Sequence, residues 1–301
     1  MTRKGHIHVN GIDFTYLEAG PSDGPLALCL HGFPDHAPTF TRLLGELAEA
    51  GYRAVAPWMR GYSPTGLAPD GHYQSATLAL DAVALVTALG RGGGSGADSV
   101  VIGHDWGAVG ASGAAVLAPE RIRTIVSMAL PHPAVALAKL GGGDFAQMKR
   151  AWYMWFFLTA GGPEALLGAP GGDLVEFLWH DWSPGFRLPR AELDPIKEQF
   201  THPEVAAAAL AYYRHTLNPA LQAPELAEVQ EKVMGGTNPL PALYIGGADD
   251  GCFSSAYLKE SAAFCAQKPR VEVVDGCGHF LHRERPKAVS SLILDHIGPA
   301  C

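Results

Sequence analysis

Asp105 stands where a carboxylate is unexpected. In "VVIGHDWGAVG", residues 100–110, the run Gly103-His104-Asp105-Trp106-Gly107 has the outline of a G-x-S-x-G nucleophile elbow, with aspartate in the serine position. Glycines on both sides suit a strand that turns sharply into a helix, where a side chain would find no room. Taken alone, the aspartate is equally well read as the N-cap of that helix. Two more groups favour chemistry. Asp250 follows the apolar run in "LYIGGADDG", and His279 follows the one in "VVDGCGHFLH". A carboxylate beside a histidine fixes its tautomer and stabilises the imidazolium, which makes the ring a general base. Asp249 is the rival acid, although the Gly247-x-x-Asp250 spacing favours Asp250, and His282 is the rival base, placed one turn into a helix.

"LHGFPD", residues 30–35, supplies an electrostatic element. Gly32 lets the backbone approach closely, and the amides of Phe33 and Trp106 are candidates for an oxyanion hole, with His31 and Pro34 beside them in the same turn. Pro34 is also a candidate for a cis peptide bond. An aspartate does different work from a serine. Already an anion, it displaces a leaving group from saturated carbon without needing a base. The product is an alkyl ester of Asp105, whose carbonyl is then attacked by water activated at His279. The substrate implied is an alkylating electrophile, either a strained epoxide or an alkyl halide.

The elements that must position these groups can be read around them. "HIHVNGIDFTYLEAG" is a hairpin turning at Asn10-Gly11. Apolar runs in "PLALCLHGFP", "YRAVAPWMRG", "SVVIGHD" and "IRTIVSMALPHP" alternate with helical patterns, which predicts a mainly parallel sheet covered on both faces. After Pro133 the alternation lapses into helix formers, aromatics and Gly/Pro breaks until about residue 230. Strand-like runs return in "PALYIGGADD" and "RVEVVDGCGH", before a closing helix around "PKAVSSLILDHI". The organisation expected is a core in two parts, 1–133 and 231–301, with a helical insertion over 134–230. "GRGGGSGAD", residues 90–98, has neither phosphate-loop spacing nor a G-K-[ST] ending and reads as a surface loop.

Composition bounds the function. A chain of 301 residues, 48% hydrophobic and 17% charged, can bury a large core. A formal charge of -8 offers no basic surplus for nucleic acid. No apolar run of about 18 residues spans a membrane, and "MTRKGHIHVNGIDF" lacks the apolar core of a signal peptide, so a soluble cytoplasmic protein is expected. Five scattered cysteines read as reduced thiols; Cys252 and Cys277 are near the two motifs, and whether they pair is open. The 13 histidines show no metal-ligand spacing, His6 and His8 fit a strand, and His104 reads as a structural hydrogen-bonder. Neither metal nor cofactor is expected.

"HGFPD", "GHDWG", the Asp250 loop and "GCGHF", in that order over most of the chain, resemble the α/β-hydrolase superfamily. Within it they are similar to the aspartate-nucleophile branch, the epoxide hydrolases and haloalkane dehalogenases. The resemblance implies a mostly parallel eight-stranded sheet with a helical cap inserted between strands six and seven. An opening epoxide needs a proton donor. Tyr153 in "AWYMWFF" and Tyr213 in "AYYRH" resemble the paired lid tyrosines of epoxide hydrolases, with Tyr212 as the alternative to Tyr213 and plain aromatic packing as the alternative to both. A dehalogenase would use Trp106 as a halide donor, but Phe33 replaces its usual Asn partner, and fluoroacetate dehalogenases carry Arg where Trp106 stands. Phe33, Trp106, Trp152, Trp155, Phe156, Phe157 and Trp179 are candidates to line an apolar pocket for lipophilic epoxides. A non-catalytic receptor on the same fold would be expected to lack one of these groups, and none is missing. Nothing in the sequence distinguishes monomer from homodimer.

Overall fold

Asn10 and Gly11 both adopt positive φ, 49° and 73°, as a type I′ hairpin turn requires. They join β1 (Arg3–Val9) to β2 (Ile12–Ala19) with Val9 opposite Ile12. The computed structural model describes residues 2–90 and 98–300, so the expected surface loop of the glycine run falls, from 91 to 97, outside the described residues. The remaining strands are β3 (Leu26–Leu30), β4 (Arg53–Pro57), β5 (Ser99–His104), β6 (Ile122–Met128), β7 (Ala242–Gly247) and β8 (Arg270–Val274). They form one eight-stranded sheet in the order β1-β2-β4-β3-β5-β6-β7-β8, antiparallel at its first two pairings and parallel thereafter.

Every residue of β3, β5 and β7 is buried. That is why these strands read as unbroken apolar runs rather than alternating ones: helices cover both faces. On one face lie α1 (Thr41–Glu49) and α13 (Pro286–Ile297), which touch each other. On the other lie α2 (Ser75–Leu89) and α3 (Trp106–Leu117). The chain steps outward from β3 to β4 and then returns to place β5 on the other side of β3. Such a switch in strand order opens a crevice at the carboxyl ends, and here those ends carry the Gly32-Phe33 turn and Asp105.

Between β6 and β7 run α4 (Pro133–Gly141), α5 (Phe145–Arg150), α6 (Trp152–Phe157), α7 (Gly162–Leu167), α8 (Asp173–Trp182), α9 (Arg190–Gln199), α10 (Pro203–Leu217) and α11 (Ala227–Gly235). The insertion expected to end at 230 would cut α11 in half. Instead α11 packs on α2 and α3, with Val233 fully buried and the Gln230 side-chain oxygen accepting from the Ala76 amide at 2.8 Å. α11 therefore belongs with the sheet-covering helices. After β8 comes the single turn α12 (Leu281–Glu284). Among the described residues no helix is long and apolar enough to cross a membrane, and Cys29, Cys252, Cys265 and Cys277 are free thiols.

Candidate active site

The elbow sets its central residue in a strained backbone state. Asp105 has φ 52° and ψ -120°, which L-residues rarely adopt without surrounding structure to enforce it. Its flanking glycines are sterically required: a Cβ at Gly103 would sit 2.2 Å from the Gly107 carbonyl oxygen, and one at Gly107 would sit 2.0 Å from that of Leu30. The Asp105 side chain makes no capping hydrogen bond to α3, so the N-cap reading fails. Oδ1 instead accepts from the Phe33 amide at 2.9 Å, and Oδ2 lies 3.7 Å from His279 Nε2. Burial pushes the Asp105 carboxyl up, but His279, His104 and the Phe33 amide outweigh it and hold the group below its ordinary value.

His279 meets Asp250 as expected, Nδ1 to Oδ2 at 3.0 Å, while Nε2 has no protein hydrogen-bond partner. Asp250 Oδ1 accepts from the amides of Cys252 at 2.7 Å and Phe253 at 2.9 Å, which locks the carboxylate toward the ring. Burial depresses the His279 pKa, yet Cys252, Asp250 and Asp105 together carry it well above the usual imidazole range. The rivals lie elsewhere. Asp249 is exposed, and His282 stacks on Phe40 at 4.9 Å with Nε2 3.7 Å from Asp35. His104 Nε2 donates to the His279 carbonyl oxygen, 3.0 Å away; since a carbonyl only accepts, this nitrogen carries the proton.

The adjacent tyrosines of α10 separate by their partners. Tyr213 Oη has no hydrogen-bond partner, whereas Tyr212 donates to the Arg60 carbonyl at 2.8 Å. Tyr153 Oη lies 3.3 Å from Cys252 Sγ, and its ring stands edge-on to Tyr213 with centroids 5.8 Å apart. Burial first, and the Asp105 charge with it, raises both phenols well above their ordinary pKa; the Trp106 indole opposes this at Tyr213. Trp106 Nε1 itself has no hydrogen-bond partner, and its ring lies edge-on to Tyr213 at 5.0 Å.

Asp105, Trp106, Tyr153, Tyr213 and Cys252 share the wall of one cavity. The rest of that wall differs from expectation. Trp152 and Trp155 are 38% and 43% exposed and face outward. Phe156 packs beside Trp152, Phe33 and Phe157 are buried without reaching the cavity, and Trp179 stacks on Phe280 at 3.5 Å. The lining is aliphatic instead, with Val109, Leu130, Ala136, Leu140, Leu217 and Met234. His31, beside the oxyanion-hole candidates, turns to the backbone: Nε2 accepts from the Met59 amide at 3.0 Å, and Nδ1 therefore donates to the Gly32 carbonyl at 2.9 Å. Both nitrogens are spent on holding the turn, and burial lowers the ring's pKa to about 4, so it stays neutral. Pro34 follows a cis peptide and accepts from Trp179 Nε1 at 2.8 Å through its carbonyl, again outside the cavity wall.

Cys252 is the site residue that sequence reading gave no role. Its signal was position, two residues past Asp250 in the same loop. Spacing also concealed that Asp105, Cys252 and His279 bring metal-ligating atom types within 4.8 Å of one another, the only such group among the described residues. These three come from separate loops, so no local pattern could show it.

A doubly covered sheet with an elbow after β5, an acid after β7 and a histidine after β8 defines a hydrolase architecture. Residues 25–286 match the alpha/beta hydrolase fold family, and the chain belongs to it. It is 29% identical over 293 residues to the AB hydrolase superfamily protein YfhM of Bacillus subtilis, covering 97% of this chain and 96% of that protein. It is 26% identical over 325 residues to epoxide hydrolase A of Mycobacterium tuberculosis, covering 97% and 96%. The crystal structure of an epoxide hydrolase from Vigna radiata superposes with a TM-score of 0.78 at 26% identity, over 98% of this chain and 97% of that one.

Proposed function

We propose that this chain is an epoxide hydrolase that converts lipophilic epoxides to vicinal diols through an ester on Asp105. The observation that carries the proposal is the unpartnered Tyr213 hydroxyl, sharing an apolar cavity with the Asp105 carboxylate and Tyr153. Epoxide hydrolases among its relatives add support. The helices between β6 and α11 would then act as the cap that closes the cavity.

Asp105 Oδ2, the oxygen not held by Phe33, attacks one epoxide carbon. The C–O bond breaks, and the emerging alkoxide takes its proton from a tyrosine, Tyr213 with Tyr153 beside it. Oδ1 becomes the ester carbonyl oxygen and keeps the Phe33 amide, which stabilises the oxyanion of the next step. Water between His279 Nε2 and the ester carbon then gives one proton to the ring and adds its oxygen to the carbonyl. Asp250 holds Nδ1–H and stabilises the imidazolium. Collapse releases the diol and regenerates Asp105, and the imidazolium proton restores the phenol. The sum is epoxide plus water to diol.

A second reading rests on Trp106. Its buried, unpartnered Nε1 in the cavity wall is a donor suited to a leaving halide, as in a haloalkane dehalogenase. One assay separates the two: intact protein and Asp105→Ala given epoxides and haloalkanes, with diol and halide quantified separately. Diol formed only by the intact protein supports the proposal; halide without diol replaces it with dehalogenation.

A further inference from the structure

We infer that the site takes epoxides with their bulk on one carbon, a small oxirane head carrying a single hydrocarbon chain, and rejects those with bulky groups on both carbons. This rests on the epoxide-hydrolase reading and narrows it.

The cavity at the Asp105 carboxylate takes most of its wall from α3, α4, α10 and α11. It runs past Val109 of α3 and Leu130 after β6, then between Leu137 and Leu140 of α4, Leu217 of α10 and Met234 of α11. Leu137 is 46% exposed, so this arm reaches the surface. Aromatic side chains pack closely around Phe33 and His279. Phe33 is fully buried, with ring centroids 5.4 Å from Phe157, 5.6 Å from Phe200 and 5.5 Å from Tyr213. Trp182 closes the remaining side, 4.6 Å from Tyr153 and 5.2 Å from His279. Neither Phe33, Phe157, Phe200 nor Trp182 contributes to the cavity wall. An interior packed to this degree admits an aryl or long alkyl group only by displacing side chains.

The arm also lacks free polar groups for a decorated substrate. Its hydroxyls, Ser75 and Thr216, are 3.1 Å apart and bonded to each other, and Thr216 Oγ1 accepts from the Ser75 amide at 3.2 Å. The rest of it is mainly aliphatic, with Met154, Met234 and Phe253 beside the leucines. A hydrocarbon chain satisfies such a wall; a hydroxylated or charged one would lose its water without a replacement partner.

The test uses the full-length protein and measures diol formation from terminal epoxyalkanes of increasing length and from trans-stilbene oxide. Each methylene that enters the arm should raise kcat/KM up to about fourfold, the equivalent of ~0.8 kcal/mol per buried CH₂. Trans-stilbene oxide should fall roughly 5- to 150-fold below the best terminal epoxide, from the ~1–3 kcal/mol of forced overpacking. Met234→Phe should erase the chain-length gain, and Phe157→Ala should raise trans-stilbene oxide turnover. Equal rates for the two epoxide classes, or no chain-length dependence in the intact protein, would overturn the inference and leave the epoxide-hydrolase reading standing. No diol from any epoxide would overturn both.

Discussion

Adjacent tyrosines on α10 should respond to the same substitution in opposite ways. Tyr212 and Tyr213 are equally buried, yet Tyr212 satisfies the Arg60 carbonyl, whereas Tyr213 Oη bonds to nothing and faces the cavity. Tyr212→Phe strands a buried acceptor, which costs about 1–3 kcal/mol. For 301 residues at ~2.1 cal/mol/K each, 1 kcal/mol corresponds to about 1.5 °C in Tm, so a loss of roughly 2–5 °C is expected. Its kcat should remain within about twofold of the intact protein, because its hydroxyl touches no reacting atom. Tyr213→Phe removes a buried hydroxyl that has no protein partner, so Tm should hold or rise. The proton donor to the opening epoxide is lost with it, and with Tyr153 still present kcat/KM should fall about 10²-fold, the lower end for general acid catalysis. Calorimetry and a diol-release assay on the two variants read both axes. Equal loss of activity in the two, or a lower Tm for Tyr213→Phe than for Tyr212→Phe, would refute the reasoning.

Two more predictions concern the Gly32 turn and the residues after it. Burial pushes the Asp35 carboxyl up to about 7, against the opposing His36 amide, Thr39 hydroxyl and Arg283. A raised folded pKa favours the protonated form, so the stability it contributes is full below the unfolded value of 3.8 and is lost as pH rises through about 7. The stability of Asp35→Asn relative to the intact protein should therefore increase by about 4 kcal/mol between roughly pH 4 and pH 8 in urea titrations, and parallel curves would contradict this. At Gly32, a Cβ would lie 2.3 Å from Asp105 Oδ1 and 2.4 Å from Asp105 Cβ. Gly32→Ala should keep its circular dichroism spectrum but lose about 10²-fold in kcat, since a displacement near 1 Å is enough for that; near-normal turnover would show that the turn does not set the carboxylate.

Much of this arrangement was legible because its chemistry sits immediately beyond buried strands. Asp105, Asp250 and His279 each follow an apolar run with glycines that no other residue can replace, so local sequence carried both the element and the residue. The Asn10-Gly11 hairpin was readable for the same reason. The cavity wall was not. In "WYMWFF" nearly every position of α6 is large and apolar, and no periodicity shows which face is inside; Tyr153 and Phe157, four apart, turn inward while Trp152 and Trp155 turn out. Leu140 and Met234 come from helices nearly a hundred residues apart, and only packing makes them neighbours. The part His31 plays in the turn is hidden from sequence because its two hydrogen bonds run to backbone groups, one of them on another strand's loop at Met59. Composition does not mark where the insertion ends, because α11 continues its helical character while packing on α2 and α3.

The ester on Asp105 is the claim on which the rest depends, and His279→Gln isolates it. Without the imidazole, alkylation proceeds while hydrolysis stalls, so the variant should accumulate a covalent adduct. Mass spectrometry of His279→Gln mixed with a terminal epoxyalkane should show one substrate mass added per chain, located on the peptide containing Asp105 and absent from the His279→Gln, Asp105→Asn double variant. An unmodified chain that still releases diol, or an adduct on another residue, would contradict the account.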